Sequence, residues 1–322
     1  MSPKYPPCRD IEPDLVAAAT GEAAPGVETR VHQHVARCES CRHALDRYRS
    51  IDRIVGDMRR APVLGDRTDV VRGDLEYRLA ELRRKSVTCR IWPSPLGPIL
   101  IAKSEQGVAL VEYLDSERGI AASRALRRAG VEILPDETET EAFYQQILEY
   151  LAGERTRLAW PLDFRLAGSD FHREVLEVTA ALPYGAVTSY ARLAREIGRP
   201  TATRAVAQAL RHNPLPIVVP CHRVVGGTGA LVGYAGNKLG LKERLLSLEG
   251  IPIEHARKDR HIVRDRMYVV ADHDTEYCVP TCGSLSTLPL WRLTLFGSRE
   301  RAESTGLAPC TSCRPDLHPI SA

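Results

Sequence analysis

Apolar positions change rhythm along the chain, and each rhythm predicts an element. In PLGPILIAKSEQGVALVEYLD two apolar runs are parted by SEQG, the pattern of a β-hairpin. EAFYQQILEYLAG then places Phe143, Ile147 and Tyr150 at helical spacing, with Gly153 as a stop. SDFHREVLEVTAALPYG sets Phe171, Val175, Val178 and Leu182 on one helix face, capped by Ser169 or Asp170 and ended by Pro183. Ser189 can cap SYARLAREIG, which stops at Gly198, and after a short turn TATRAVAQALRH gives a second helix. Helix, tight turn and helix form a helix-turn-helix pattern, although many such pairs only pack. Residues 1–60 read as mostly helical, 61–85 as a charged helical or partly mobile linker, and 256–270 as a charged bridge. No internal repeat or low-complexity tract is present.

The 322 residues, 43% of them hydrophobic, can fill two or three domains. A net charge of only +3 requires any nucleic-acid contact to come from a local patch. MSPKYPPCRD lacks the apolar run of a signal peptide, and no stretch of eighteen apolar residues exists, so a soluble, cytoplasmic chain without a membrane partner is expected.

The nine cysteines are unevenly placed. Close pairs in a chain without a secretion signal favour metal over disulfides, which makes seven of them zinc candidates. At the C-terminal end Cys278-x3-Cys282 and Cys310-x2-Cys313 suit a tetrahedral zinc site. At the N-terminal end Cys8 joins His34-x3-Cys38-x2-Cys41, with His34 and Cys38 on one helix face and Cys41 at the turn. His32 fits the spacing less well, and a metal-free helical hairpin with reduced cysteines is the alternative. Cys89, on an expected strand, reads as a core thiol.

Cys221 stands apart, in PCHRVVGGTGALVGYAG. Local chemistry leaves it open between a buried small hydrophobe and a nucleophile activated by His222. Neighbouring residues on an extended strand face opposite ways, so activation by His222 needs a water relay or a tight turn. Alone, Arg204 reads as a solvated helix arginine, Glu249 as a surface acid and Tyr234 as a residue capping a core.

PCHRVV resembles the active-site signature of the O6-alkylguanine-DNA alkyltransferases. The resemblance continues in family order through SPLGPILIA, LEYLAGE, DFHREV, LPYGAVTSYARLA, RAVAQAL, NP, GALVGYAG and KERLLSLEG, over roughly residues 86–252. It implies an α/β core: a ribonuclease-H-like subdomain over 86–165 and a helical, helix-turn-helix-like catalytic subdomain over 166–255. It also implies direct-reversal repair without an organic cofactor. Cys221 would accept the alkyl group once, His222 would activate it through a bound water, Glu249 would orient His222, and Tyr234 would bond the base and help protonate it. For the DNA side it implies that Tyr190 turns the phosphate, Arg204 fills the space of the flipped nucleotide, and Asn213 ties the helix pair to the active-site strand. Ala202, Ala205 and Ala209 would permit close approach to the minor groove of alkylated double-stranded DNA, and Gly233 and Gly236 close approach to the base. Ala207 stands where the family often has glycine.

EYCVPTC and STGLAPCTSCRPD resemble the zinc-binding domain of the Ada adaptive-response proteins, over 266–322, where Cys278 would also take a methyl from a phosphotriester. Val279, where that family has arginine, and GSLSTL, where it is basic, depart from it. Residues 1–60 resemble the zinc module of anti-sigma factors, which implies a protein partner such as a sigma factor. The whole reads as an α/β core flanked by two small zinc-binding modules. The rival readings are a damage sensor that signals through Cys278 and a Cys-His hydrolase.

Overall fold

The structure, a computed structural model, describes residues 8–60, 68–114, 126, 130–136, 138–236, 238–256, 259–272 and 274–320. The chain divides into two compact units, Met1–Tyr77 and Arg78–Ala322. Residues 61–67 of the expected linker lie outside the described residues; from Thr68 the segment is helical.

The first unit contains α1 (Cys8–Thr20), α2 (Val27–Val35), α3 (Glu39–Arg60) and the start of α4 (Thr68–Lys85). Val27, Val31 and Val35 recur every fourth residue and present one apolar stripe. They pack with Ile11 and Leu15 of α1 and with Cys41 and Leu45 of α3. The turn falls at Ala36 and Arg37, so Cys38 follows it and Cys41 lies in the first turn of α3, not at the turn as the spacing suggested. The cause is local: the α2 carbonyls of His32 and His34 are capped by Ala36, Arg37 and Cys38 N–H groups, which ends the helix early.

In the second unit, β1 (Ser86–Trp92), β2 (Ile99–Ser104), β3 (Gly107–Tyr113) and β4 (Glu132–Pro135) form a mixed sheet in the order β3-β2-β1-β4. The expected hairpin is β2–β3, with Glu105 and Gln106 at its tip. Alternate residues of β2 face two cores: Ile99 and Ile101 meet Ile147 and Tyr150 of α5 (Glu141–Leu151), while Leu100 and Ala102 pack with Cys89 and Leu126. Gly107 is forced by contact, since a Cβ there would lie 2.2 Å from the Pro161 carbonyl oxygen.

Next come α6 (Asp170–Ala180), β5 (Ala186–Ser189), α7 (Tyr190–Glu196) and α8 (Thr203–Arg211). Ser169 caps α6 by accepting from the His172 N–H, and Ser189 caps α7 by accepting from Arg192 N–H. A tight turn, Cys221–Arg223, then leads into β6 (Val224–Val225) and α9 (Leu239–Leu248).

The charged bridge expected over 256–270 is folded instead, apart from residues 257 and 258, which lie outside the described residues. The strands β7 (Ile253–Ala256) and β8 (Asp259–Ile262) pair antiparallel, and β9 (Tyr268–Ala271) enters a second sheet. Apolar Ile262, Met267 and Val269 among the charges drive this, and all three are buried. The second sheet has the order β6-β5-β11-β9, where β11 is Leu293–Phe296. Among the described residues the C-terminal segment shares a sheet with the residues before it: β5 pairs parallel with β6 on one side and antiparallel with β11 on the other. Completing the segment are β10 (Glu276–Tyr277), α10 (Arg299–Glu303) and β12 (Ala308–Pro309), which pairs with β10. Among the described residues, no helix is long and apolar enough to cross a membrane.

Candidate active site and metal centres

The active-site segment does not begin as a strand. Cys221–Arg223 is a tight 3₁₀ turn, and extended structure starts only at Val224. Opposite-face geometry therefore does not govern Cys221 and His222. Asn213, just after α8, fixes the turn: its Oδ1 accepts from Leu215 N–H at 2.8 Å, and its Nδ2 donates to the Val219 carbonyl at 2.9 Å and to Cys221 Sγ at 3.1 Å. Between them Ile217, buried, takes a φ of 74°, strained for a β-branched residue.

Cys221 is 5% exposed. Burial pushes its thiol pKa up, and the Asn213 donor and the charge of Lys242 act against that shift. His222 is fully buried, with Nε2 at 2.6 Å from Glu249 Oε1. An ionised carboxylate only accepts, so Nε2 carries the proton and Nδ1 the lone pair. Nδ1 has no protein partner among the described residues. Burial depresses the His222 pKa in spite of Glu249, which keeps the imidazole neutral and able to take a proton.

Glu249 ends α9, where the helix dipole disfavours an acid, and it is 2% exposed. Burial alone would raise its pKa; His222 and Arg223 outweigh that and hold it well below the usual carboxylate range. Arg223 Nε lies 3.0 and 2.9 Å from the two carboxylate oxygens, and its Nη2 donates to Oε1 at 2.9 Å. Tyr150 also donates to Oε1, and the Gly185 N–H donates to Oε2 at 2.9 Å.

Tyr234 is buried, with its hydroxyl 3.0 Å from that of Tyr113. Gly233 and Gly236 flank it with φ of 53° and 82°, left-handed values that favour glycine. Tyr190 donates to the Val232 carbonyl at 3.0 Å. Lys242, fully buried, donates to that carbonyl at 3.1 Å and also to the Val224 carbonyl. Burial lowers its pKa to about 8.

On α8, Arg204 and Ala205 are exposed and Ala202 is half-buried. Ala209 is not on that open face: it is buried with Val206 and Leu210, because α8 turns this stripe into the core. The structure thus brings two hydrogen-bonded pairs, Asn213–Cys221 and His222–Glu249, together at one turn, with Tyr234 beside them: the Tyr234 and His222 rings lie 6.2 Å apart. Reading the sequence missed Arg223, Tyr150, Tyr113 and Lys242. Lys242 had one legible signal, since seven residues before Glu249 it shares the same helix face.

Two further clusters bring metal-ligating atoms together. In the first unit Cys8, His34, Cys38 and Cys41 place their donors within 4.8 Å of one another, with Cys8 Sγ 3.8 Å from both His34 Nε2 and Cys38 Sγ. In the second, Cys278, Cys282, Cys310 and Cys313 do the same. Tetrahedral zinc with thiolates needs sulfurs roughly 3.8 Å apart, so both donor sets fit in kind and spacing. His32 is not among the donors. Burial pushes Cys41 up to about 12 and Cys282 up to about 11, so ionised thiols there call for a cation.

Residues 87–164 match the family model for the 6-O-methylguanine DNA methyltransferase ribonuclease-like domain, and residues 170–251 match that of its DNA binding domain. The chain is 39% identical over 158 residues to a constitutive methylated-DNA–protein-cysteine methyltransferase of Bacillus subtilis, spanning 49% of this chain and 92% of that protein. It is 38% identical over 167 residues to the Methanosarcina acetivorans methylated-DNA–protein-cysteine methyltransferase, spanning 50% and 96%. A crystal structure of Mycobacterium tuberculosis O6-methylguanine methyltransferase aligns at 36% identity with a TM-score of 0.43, over 51% of this chain and 92% of that one. On the two domain matches and the Bacillus and Methanosarcina relatives, the chain belongs to the methylated-DNA–protein-cysteine methyltransferase family.

Proposed function

We propose that this protein repairs O6-alkylguanine in double-stranded DNA by moving the alkyl group irreversibly onto Cys221. The observation that carries the reading is the buried cluster in which Asn213 holds the Cys221 sulfur and Glu249 holds one nitrogen of His222, leaving Nδ1 free as a base. A water bridging Cys221 and His222 would carry the thiol proton to Nδ1. The thiolate attacks the alkyl carbon, a C–S bond forms as the C–O6 bond breaks, and the electron pair stays on O6. The thiol's proton ends on guanine, with Tyr234 donating at the base, and a stable thioether remains, so each molecule reacts once.

Reaching the carbon requires the nucleotide to leave the stack. The exposed Arg204 would fill the vacated space, Ala205 would face the minor groove, Tyr190 would leave the Val232 carbonyl to turn the phosphate, and Gly233 and Gly236 would let the loop approach the base. Backbone contacts rather than base-edge contacts suit a lesion found in any sequence.

The two donor sets support reading residues 8–41 and 278–313 as zinc centres, in which the metal supplies a rigid tetrahedral tie and takes no part in alkyl transfer. The first would make residues 1–60 a module that docks onto another protein, a sigma factor being the partner its resemblance implies. The close cysteine pairs, read as metal ligands rather than disulfides, suit a reducing, cytoplasmic setting.

Intact mass after incubation with duplex DNA carrying O6-methylguanine, followed by peptide mapping, tests the central claim. One added methyl on Cys221, saturating at one equivalent and absent in Cys221→Ala, is expected. Unmodified Cys221 on protein that still binds the DNA would overturn it.

A further inference from the structure

The four-cysteine centre is tied to the second sheet by backbone. Cys278 pairs with Val269 of β9 through both of its peptide groups, at 2.9 and 2.8 Å. Cys310 N–H donates to the Tyr277 carbonyl at 3.0 Å, and Cys278 and Cys310 each follow directly from one of the paired strands β10 and β12. From β9 the ladder runs through β11 to β5, which leads directly into α7, and on to β6, which follows directly from the Cys221 turn.

Side chains reinforce the link to the helix-turn-helix. Asp272, next to β9, pairs with Arg192 of α7, and Trp291 lies flat under the Arg195 guanidinium of the same helix at 3.7 Å. Arg264 donates to the Leu285 and Leu288 carbonyls, each at 3.0 Å, and so fixes the stretch between Cys282 and Trp291. At the far end Gly297 N–H donates to the Gly185 carbonyl at 2.9 Å, beside the Gly185 N–H that binds Glu249. The matched DNA-binding domain ends at residue 251, so β9 and β11 lie beyond it, yet β5 is an interior strand only because β11 covers one of its edges.

The cleft beside the centre, about 700 Å³, does not suit a phosphate. Its described lining includes Asp274 and Glu276 and neither lysine nor arginine.

We propose that the four-cysteine centre, once metal is bound, is a brace that holds α7 and the Cys221 turn in position through β9 and β11, with Asp272 and Trp291 as its contacts to α7. This rests on reading the four cysteines as a metal centre. Without metal the pairing of Cys278 with β9 loosens, β11 loses its outer neighbour, and the motion reaches β5 and α7.

Amide hydrogen exchange on the full chain, purified with zinc and assayed for metal, tests it. Cys282→Ser with Cys313→Ser should lower the zinc content by one equivalent. Exchange across 186–196 should then quicken about tenfold while that of 99–113 is unchanged. Zinc lost with exchange at 186–196 unmoved overturns the brace. Wild-type protein with no zinc at these cysteines overturns the metal reading itself, a distinct outcome. If the double serine variant does not fold, Asp272→Asn with Trp291→Ala decides: both zinc equivalents kept with faster exchange at 190–196 supports the brace, and unchanged exchange there overturns it.

Discussion

Arg223 converts a buried acid from a liability into a support. Glu249 sits at a helix C-terminus, out of water and against the dipole, and the Arg223 guanidinium supplies the compensating charge through both carboxylate oxygens. Arg223→Met should therefore destabilise the protein by about 3–5 kcal/mol in urea melts, because it strands the carboxylate. Tyr150→Phe removes one donor to the same oxygen while three other groups remain on the carboxylate, and should cost about 1 kcal/mol. Acid should weaken the fold through His222. Its folded pKa lies below the unfolded value, so on acidification the unfolded chain takes the proton first. Stability is full above about pH 6.5 and falls as the pH drops through the depressed folded pKa. Glu249, also depressed, adds its own loss from the ordinary carboxylate range downward, as the unfolded chain takes up the proton first. Urea melts at pH 7.5 and 5.5 check this, and His222→Gln should flatten the difference. Cys221, His222 and Glu249 were legible because a signature marks them. Arg223 and Tyr150 were not, because their value comes from meeting Glu249 across 26 and 99 residues of chain.

At the level of elements, local rules read well where local chemistry decides. Ser189 and Gly198 bounded α7, SEQG marked the β2–β3 turn, and apolar spacing placed α5 and α6. The second sheet escaped because its strands are only two to four residues long and buried on both faces, so they carry no alternation, and because their partners are remote. Val187 faces one core with Val269 and Leu295, while Ala186 faces another with Tyr268 and Phe296. Contact at the end of β11 is equally exacting. A Cβ on Gly297 would lie 2.4 Å from the Gly250 carbonyl oxygen, next to Glu249. Gly297→Ala should cost about 1–3 kcal/mol in thermal or urea melts, with the loss shared by the Cys221 site and not confined to the C-terminal segment.

For the whole molecule, the two units differ in how they are held. Among its described residues the first has a core cluster of seven buried residues, too few to be secure without a further tie. Zinc chelation should unfold residues 8–48 first, seen as loss of helical signal, and excess zinc should restore it. Deleting residues 1–60 should leave methyl transfer to Cys221 unchanged within about twofold, since the described partners of Cys221, His222 and Glu249 belong to the second unit. Composition and motif order point to a linker over 61–85, whereas the two units part at Tyr77 and Arg78, inside α4; the pairing of the last segment with β5 was not legible, because cysteine spacing marks a metal site without saying what it is joined to.

The placement of β11 also sets a schedule for synthesis. Residues 186–189 leave the ribosome roughly a hundred residues before the strand that covers their edge, which at about 5–20 residues per second is about 5–20 s. For the later part of that interval, once Glu249 is made, the repair domain has its nucleophile, its histidine and its glutamate, but one edge of the buried strand β5 lies open to any other nascent chain. Commitment to the finished fold waits for the last strands, so ribosomes that stall or stop early would release a chain prone to aggregate even though every group of the catalytic cluster had been made.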